Sequence, residues 1–212
     1  MERLKLLKTQ TRSIIQQNYN WIFLAAFFFF LGIAFSLFSL GGNWFFLTEL
    51  TASQQELLQQ MAELIFNSNP LVGVALLFVN NLFASMYVVL LGVILGLPPL
   101  LALFTNGAFL GTVLASLGHG GIGALGFFFL GVLPHGLFEL PAFFLAAAFG
   151  LKLGFHIIFP LPQKRRGESV IFIWKEFLSI LPFVLILLIT AAAVEIFITP
   201  HLLNLVEFSA VY

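Results

Sequence analysis

An all-α, polytopic transmembrane helix bundle of about five crossings is the fold this sequence predicts, and three observations carry that reading. The residues are 60% hydrophobic and only 8% charged, against roughly 25% charged in an ordinary globular domain. Between Glu63 and Lys152 lie 88 consecutive residues with one formally charged side chain, Glu139. All nine Lys and Arg fall in two places, residues 3–12 and 152–175. A bilayer accommodates such a chain, because hydrocarbon tolerates apolar side chains and repels isolated charges. A β-barrel would alternate polar and apolar residues in short segments. Phe27-Phe28-Phe29-Phe30 and Val184-Leu185-Ile186-Leu187-Leu188 do not.

The elements follow in order within a single domain, residues 1–212. Residues 1–20 form a basic segment, with Arg3, Lys5, Lys8 and Arg12 among apolar residues at roughly helical intervals. It reads either as an interfacial helix attracted to anionic lipid or as a plain cytoplasmic tail. The apolar run Trp21–Leu40 is long enough to cross, and it reads as a permanent span rather than a cleaved signal. Residues 41–70 carry Glu49, Glu56 and Glu63 and no basic residue. There Ser53-Gln54-Gln55-Glu56 has capping-box form, and an amphipathic helix on the outer surface is expected. Leu71–Leu97 is the second span, ended by Pro98-Pro99, and Leu100–Leu117 is the third. Residues 122–151 are about 45 Å as straight helix against a hydrocarbon layer of about 30 Å. A helix broken near Pro134 resolves that excess. Residues 152–176 make a second basic cytoplasmic loop, and Phe177–Thr199 is the last span. The positive-inside rule puts both basic regions in the cytoplasm of an inner-membrane protein. The N-terminus is then cytoplasmic and the C-terminus outside.

Glycines recur at four-residue spacing: Gly92 and Gly96, Gly107 and Gly111, Gly150 and Gly154. Such pairs let helix backbones approach closely within lipid. They argue for a tight bundle and allow a homodimer.

The chemistry concentrates on the lone acid. His135 and Glu139 share a helix face at a spacing of four. An interrupted helix also frees backbone groups that need partners at membrane depth. Asn80, Asn81 and Asn106 supply donors and acceptors, so an intramembrane polar core of Asn80, Asn81, Asn106, His135 and Glu139 is expected. Three readings of it stay open: architecture alone, a proton- or ion-coupled path, or support for a partner-recruiting protein. Metal is not expected, since His135 and Glu139 give two ligands where structural zinc takes four. With no cysteine and no Asp, thiol catalysis and thiolate metal sites are excluded. No phosphate loop is present and the formal net charge is zero, so no enzyme, cofactor or nucleic-acid partner is indicated. Glu195 and Glu207 read as solvated surface at the outer end of the last span.

Thr105-Asn106-Gly107-Ala108-Phe109-Leu110-Gly111, then Pro134-His135-Gly136-Leu137-Phe138-Glu139-Leu140-Pro141-Ala142, then Gly150-Leu151-Lys152-Leu153-Gly154 form an ordered set. This set resembles the stage II sporulation protein M family of integral membrane proteins, over about residues 70–155. Asn106, Gly107, Pro134, His135, Gly136 and Glu139 are the signature positions. The resemblance implies a helical inner-membrane protein without catalytic residues. It also implies a scaffold or anchor that works with peptidoglycan hydrolases in envelope remodelling in spore formers. The lipid bilayer, such hydrolases or other membrane proteins are the partners expected. A small transporter or channel component built on His135 and Glu139 is the alternative.

Overall fold

Inside a bilayer each backbone N–H and C=O must find a partner within the protein, and a helix supplies one from its own segment. The computed structural model describes residues 2–39, 69–117, 126 and 128–203, and every regular element among them is helical. The chain runs α1 (Glu2–Gln17), α2 (Tyr19–Ser39), α3 (Pro70–Leu91) and α4 (Leu97–Leu117). A π-helical turn, Phe128–Val132, then leads into α5 (Leu133–Ile158), followed by α6 (Arg166–Phe197). Five segments are long and apolar enough to cross a membrane: α2, α3, α4, the π-turn with α5, and α6. The expected amphipathic loop at 41–70 and the Gly118–Gly126 stretch fall almost wholly outside the described residues.

Helix α5 is the centre of the bundle. It packs against α2, α3, α4 and α6, and residues 145–154 are buried without a gap. Its Leu-Ala-Ala-Ala-Phe-Gly run explains this, because small side chains let neighbours close in from every side. Helix α6 buries a stripe of Ser169, Ile173, Phe177, Ile180, Val184, Leu188 and Ala191, the three- and four-residue spacing of one helix face. Phe149 and Phe177 meet across α5 and α6 with ring centroids 5.5 Å apart. A second cluster joins Ala25 and Phe29 of α2 to Leu103 of α4 and Ala147, Ala148 and Leu151 of α5.

The glycines mark the closest backbone approaches. A Cβ on Gly107 would strike the Phe29 carbonyl, and one on Gly32 would strike that of Phe104, so α2 and α4 interlock reciprocally. Gly92 lies on the Gly150 backbone and Gly154 on Gly96. The spaced pairs therefore work between elements: Gly92 and Gly96 meet Gly150 and Gly154, while Gly107 and Gly111 meet the α2 backbone at Phe29 and Ile33.

Several boundaries differ from the sequence expectation, for physical reasons. Helix α3 ends at Leu91 rather than Leu97, because residues 92–96 form a tight turn with Gly96 at φ 73°. Pro98 and Pro99 do not end a helix; they sit in the first turn of α4, where proline's missing N–H costs nothing. The interruption near Pro134 takes the form of the π-turn, and Pro134 occupies the start of α5. The expected 152–176 loop shrinks to residues 159–165: α5 runs on to Ile158, and α6 starts at Arg166. Apolar Leu153, Phe155, Ile157 and Ile158 extend the first helix. The Glu168 carboxylate, accepting from the Arg165 N–H at 2.7 Å, caps the second.

These contacts predict opposite outcomes for two alanines. Gly107→Ala must push α2 from α4 and should cost about 1–3 kcal/mol. Gly136→Ala meets open space and should be neutral or stabilising by up to about 1 kcal/mol. Thermal unfolding in detergent compares them directly.

Candidate functional site

Polar side chains at membrane depth gather in two clusters, one at each end of the α5–α6 hairpin. At the end carrying the basic connector, Lys152 of α5 is 7% exposed. Its Nζ lies 2.5 Å from Glu176 Oε2 on α6 and donates to Asn18 Oδ1 at 2.7 Å. Asn18 Nδ2 in turn donates to Glu176 Oε1 at 2.5 Å and to the Ile14 carbonyl at 2.9 Å. Three side chains from three separate segments thus close a ring. The Asn18 backbone forms the α1–α2 joint, its carbonyl accepting from Trp21 and Ile22. Both Glu176 oxygens and both Asn18 amide atoms are engaged, which is the condition under which a buried charge pair is tolerated.

At the opposite end, His135 Nδ1 lies 2.5 Å from Glu195 Oε2, in ion-pair range though not aligned as a hydrogen bond. Glu139, one turn along α5, interacts electrostatically with both His135 and Glu195. Asn81 of α3 is buried, and its amide nitrogen faces the Glu139 carboxylate outside hydrogen-bond geometry. Asn80, more exposed, donates weakly to Asn81 Oδ1 at 3.4 Å. His135 and Lys152 are 17 residues apart on α5 and Glu195 and Glu176 are 19 apart on α6. The two clusters are therefore about 26–29 Å apart along the hairpin, near the thickness of a hydrocarbon layer.

Four of the five expected core residues come together: Asn80, Asn81, His135 and Glu139. Asn106 turns back on its own helix, donating to the Ala102 carbonyl at 2.8 Å, because α4 joins α2 through its glycines instead. Glu195 is a correction, since it pairs with His135 and is only one-fifth exposed. The basic-end ring is not expected from the sequence, which places Lys152 and Glu176 in a loop and Asn18 in a basic N-terminal segment. The signal for it is a lone cation inside Gly-Leu-Lys-Leu-Gly and an acid beside Lys175 at the edge of an apolar run. Among the described residues, no three His or Glu side chains are arranged to hold a metal ion.

Truncating one member of the ring should be far worse than replacing the pair. Lys152→Met leaves Glu176 buried and uncompensated, and should cost about 3–5 kcal/mol. Lys152→Met with Glu176→Leu should recover most of that loss. Unfolding midpoints of the two variants measure the difference.

The comparisons with known proteins agree with this architecture. The family described as Stage II sporulation protein M matches residues 25–200, which takes in all five spans and both clusters apart from Asn18. An uncharacterized protein of Methanocaldococcus jannaschii is 32% identical over 71 residues, covering 34% of this chain and 40% of that protein. This chain thus spans less than half the length of that relative. No solved structure matches. With a match over most of its length, the chain belongs to the Stage II sporulation protein M family.

Proposed function

We propose that the protein is a non-catalytic membrane scaffold that positions partners in cell-envelope remodelling, with its basic end in the cytoplasm of the inner membrane. One observation carries the reading: the ionisable groups of the two clusters pair helix to helix, and apolar side chains fill the space between the clusters. Ala142, Leu145, Phe149, Phe177, Ile180, Val184 and Leu188 fill the α5–α6 interface and are at most 5% exposed. Transported ions need a chain of polar groups or water across that distance. A rigid clasped hairpin is instead what an anchor requires. The family resemblance implies peptidoglycan hydrolases as the partner class, and the glycine-rich seams leave a homodimer open.

The absence of native cysteine makes the topology directly testable. Single cysteines placed at Gln10 and Gln163 should react with an impermeant maleimide from one face of oriented vesicles, and one at His201 from the other. Labelling of all three from the same face would remove the five-crossing arrangement.

Function is tested in proteoliposomes. Proton and alkali-cation flux should stay at the protein-free level, and Glu139→Gln should leave folding and hydrolase co-purification intact. Flux that is lost in Glu139→Gln would replace the scaffold by the transporter reading.

A further inference from the structure

The basic end of the bundle is stepped. Gly96, in the turn between α3 and α4, packs at the level of Leu151 and Gly154 of α5. Beyond this level the Leu151 face of α5 continues through Phe155 and Ile158, four and seven residues further on. Among the described residues no turn covers it there, and both are 45% exposed. Phe159, 59% exposed, extends this apolar ledge into the connector. Trp21 of α2 closes one side, its ring 5.4 Å from that of Phe155. Ile94 and Leu95 of the turn, each more than half exposed, add to the apolar surface.

Four residues separate Phe159 from three consecutive cations, Lys164, Arg165 and Arg166, all exposed. They are held on a built connector rather than a loose tail. The buried Ser169 hydroxyl accepts from the Leu161 N–H and donates to the Arg165 carbonyl, both at 3.0 Å. The Lys164 N–H returns to the Leu161 carbonyl at 3.0 Å, and its ammonium sits 5.0 Å from the centre of the Phe172 ring. Glu168 is the one acid in the segment, and one of its oxygens is engaged by the Arg165 N–H.

From this placement we infer that the α5–α6 connector is a binding site for an anionic phospholipid. The phosphate headgroup lies against Lys164, Arg165 and Arg166, and the glycerol and upper acyl chain lie along Phe155, Ile158 and Phe159. An apolar ledge and a cluster of cations on one short connector match a molecule with a hydrocarbon body and a negative head. The aromatic side chains suit the same interfacial depth. The site depends on the membrane-spanning fold and not on partner recruitment.

The test is native mass spectrometry of the full chain in detergent with equimolar phosphatidylglycerol and phosphatidylcholine of identical acyl chains. Phosphatidylglycerol should be retained about tenfold over phosphatidylcholine, and R165Q with R166Q should remove that preference. R12Q with K175Q loses the same charge elsewhere at this end and should keep the preference within about twofold. Both double variants should elute as the parent does on size exclusion, showing that the fold survives. Equal retention of the two lipids, or equal loss in both double variants, would overturn the site in favour of general charge attraction. Glycerol 3-phosphate in excess should not displace the lipid. Displacement would show a phosphate site without the apolar ledge, and would overturn the assignment.

Discussion

Two antiparallel helices held at both ends by paired charges are the constraint from which the rest of this bundle follows. Lys152 with Glu176 and Asn18 fixes one end of the α5–α6 hairpin, and His135 with Glu195 fixes the other. A buried pair of this kind adds little net stability, because desolvation offsets the attraction. Its effect is on register. Sliding α6 by one turn would strand both acids in an apolar surround, so only one alignment satisfies both clasps. With the hairpin set, the small-residue face of α5 offers α3 and the turn before α4 a surface they can approach to backbone contact. The glycine contacts Gly92–Gly150 and Gly96–Gly154 occur where that surface is narrowest.

The number of spans and their rough positions were legible, because twenty-residue apolar runs and the two-site clustering of cations are strong signals in lipid. Helix ends were not. Pro98-Pro99 reads equally as a stop or a start, and only the preceding Gly92–Gly96 turn decides for a start. The 152–176 segment reads as a loop because charge ordinarily means solvent. Lys152 and Glu176 are instead each other's solvent, together with an asparagine 134 positions away from the lysine.

The polar core was legible in kind and incomplete in membership. His135 and Glu139 follow from helix spacing, and Asn80 and Asn81 from their place in an otherwise apolar run. Asn106 has the same appearance in sequence, yet its amide serves its own helix. Nothing local separates the two behaviours; the difference is that α4 meets α2 through Gly107 and Gly111, leaving no polar neighbour to turn toward. Glu195 was hidden for the opposite reason. It lies near a helix end, where solvent is the ordinary partner, and only the antiparallel return of α6 past His135 supplies another.

The two clasps differ in how completely they are satisfied, and the difference assigns them different roles. In the Asn18–Lys152–Glu176 ring each acceptor oxygen has a donor, and the Asn18 joint carries the helical hydrogen bonding from α1 into α2. At the His135 end, among the described residues, the Asn81 amide nitrogen has no aligned hydrogen bond, and the His135–Glu195 pair rests on a single 2.5 Å contact beside the π-turn. A fully satisfied network rigidifies its surroundings. The hairpin is thus pinned most completely at its basic end.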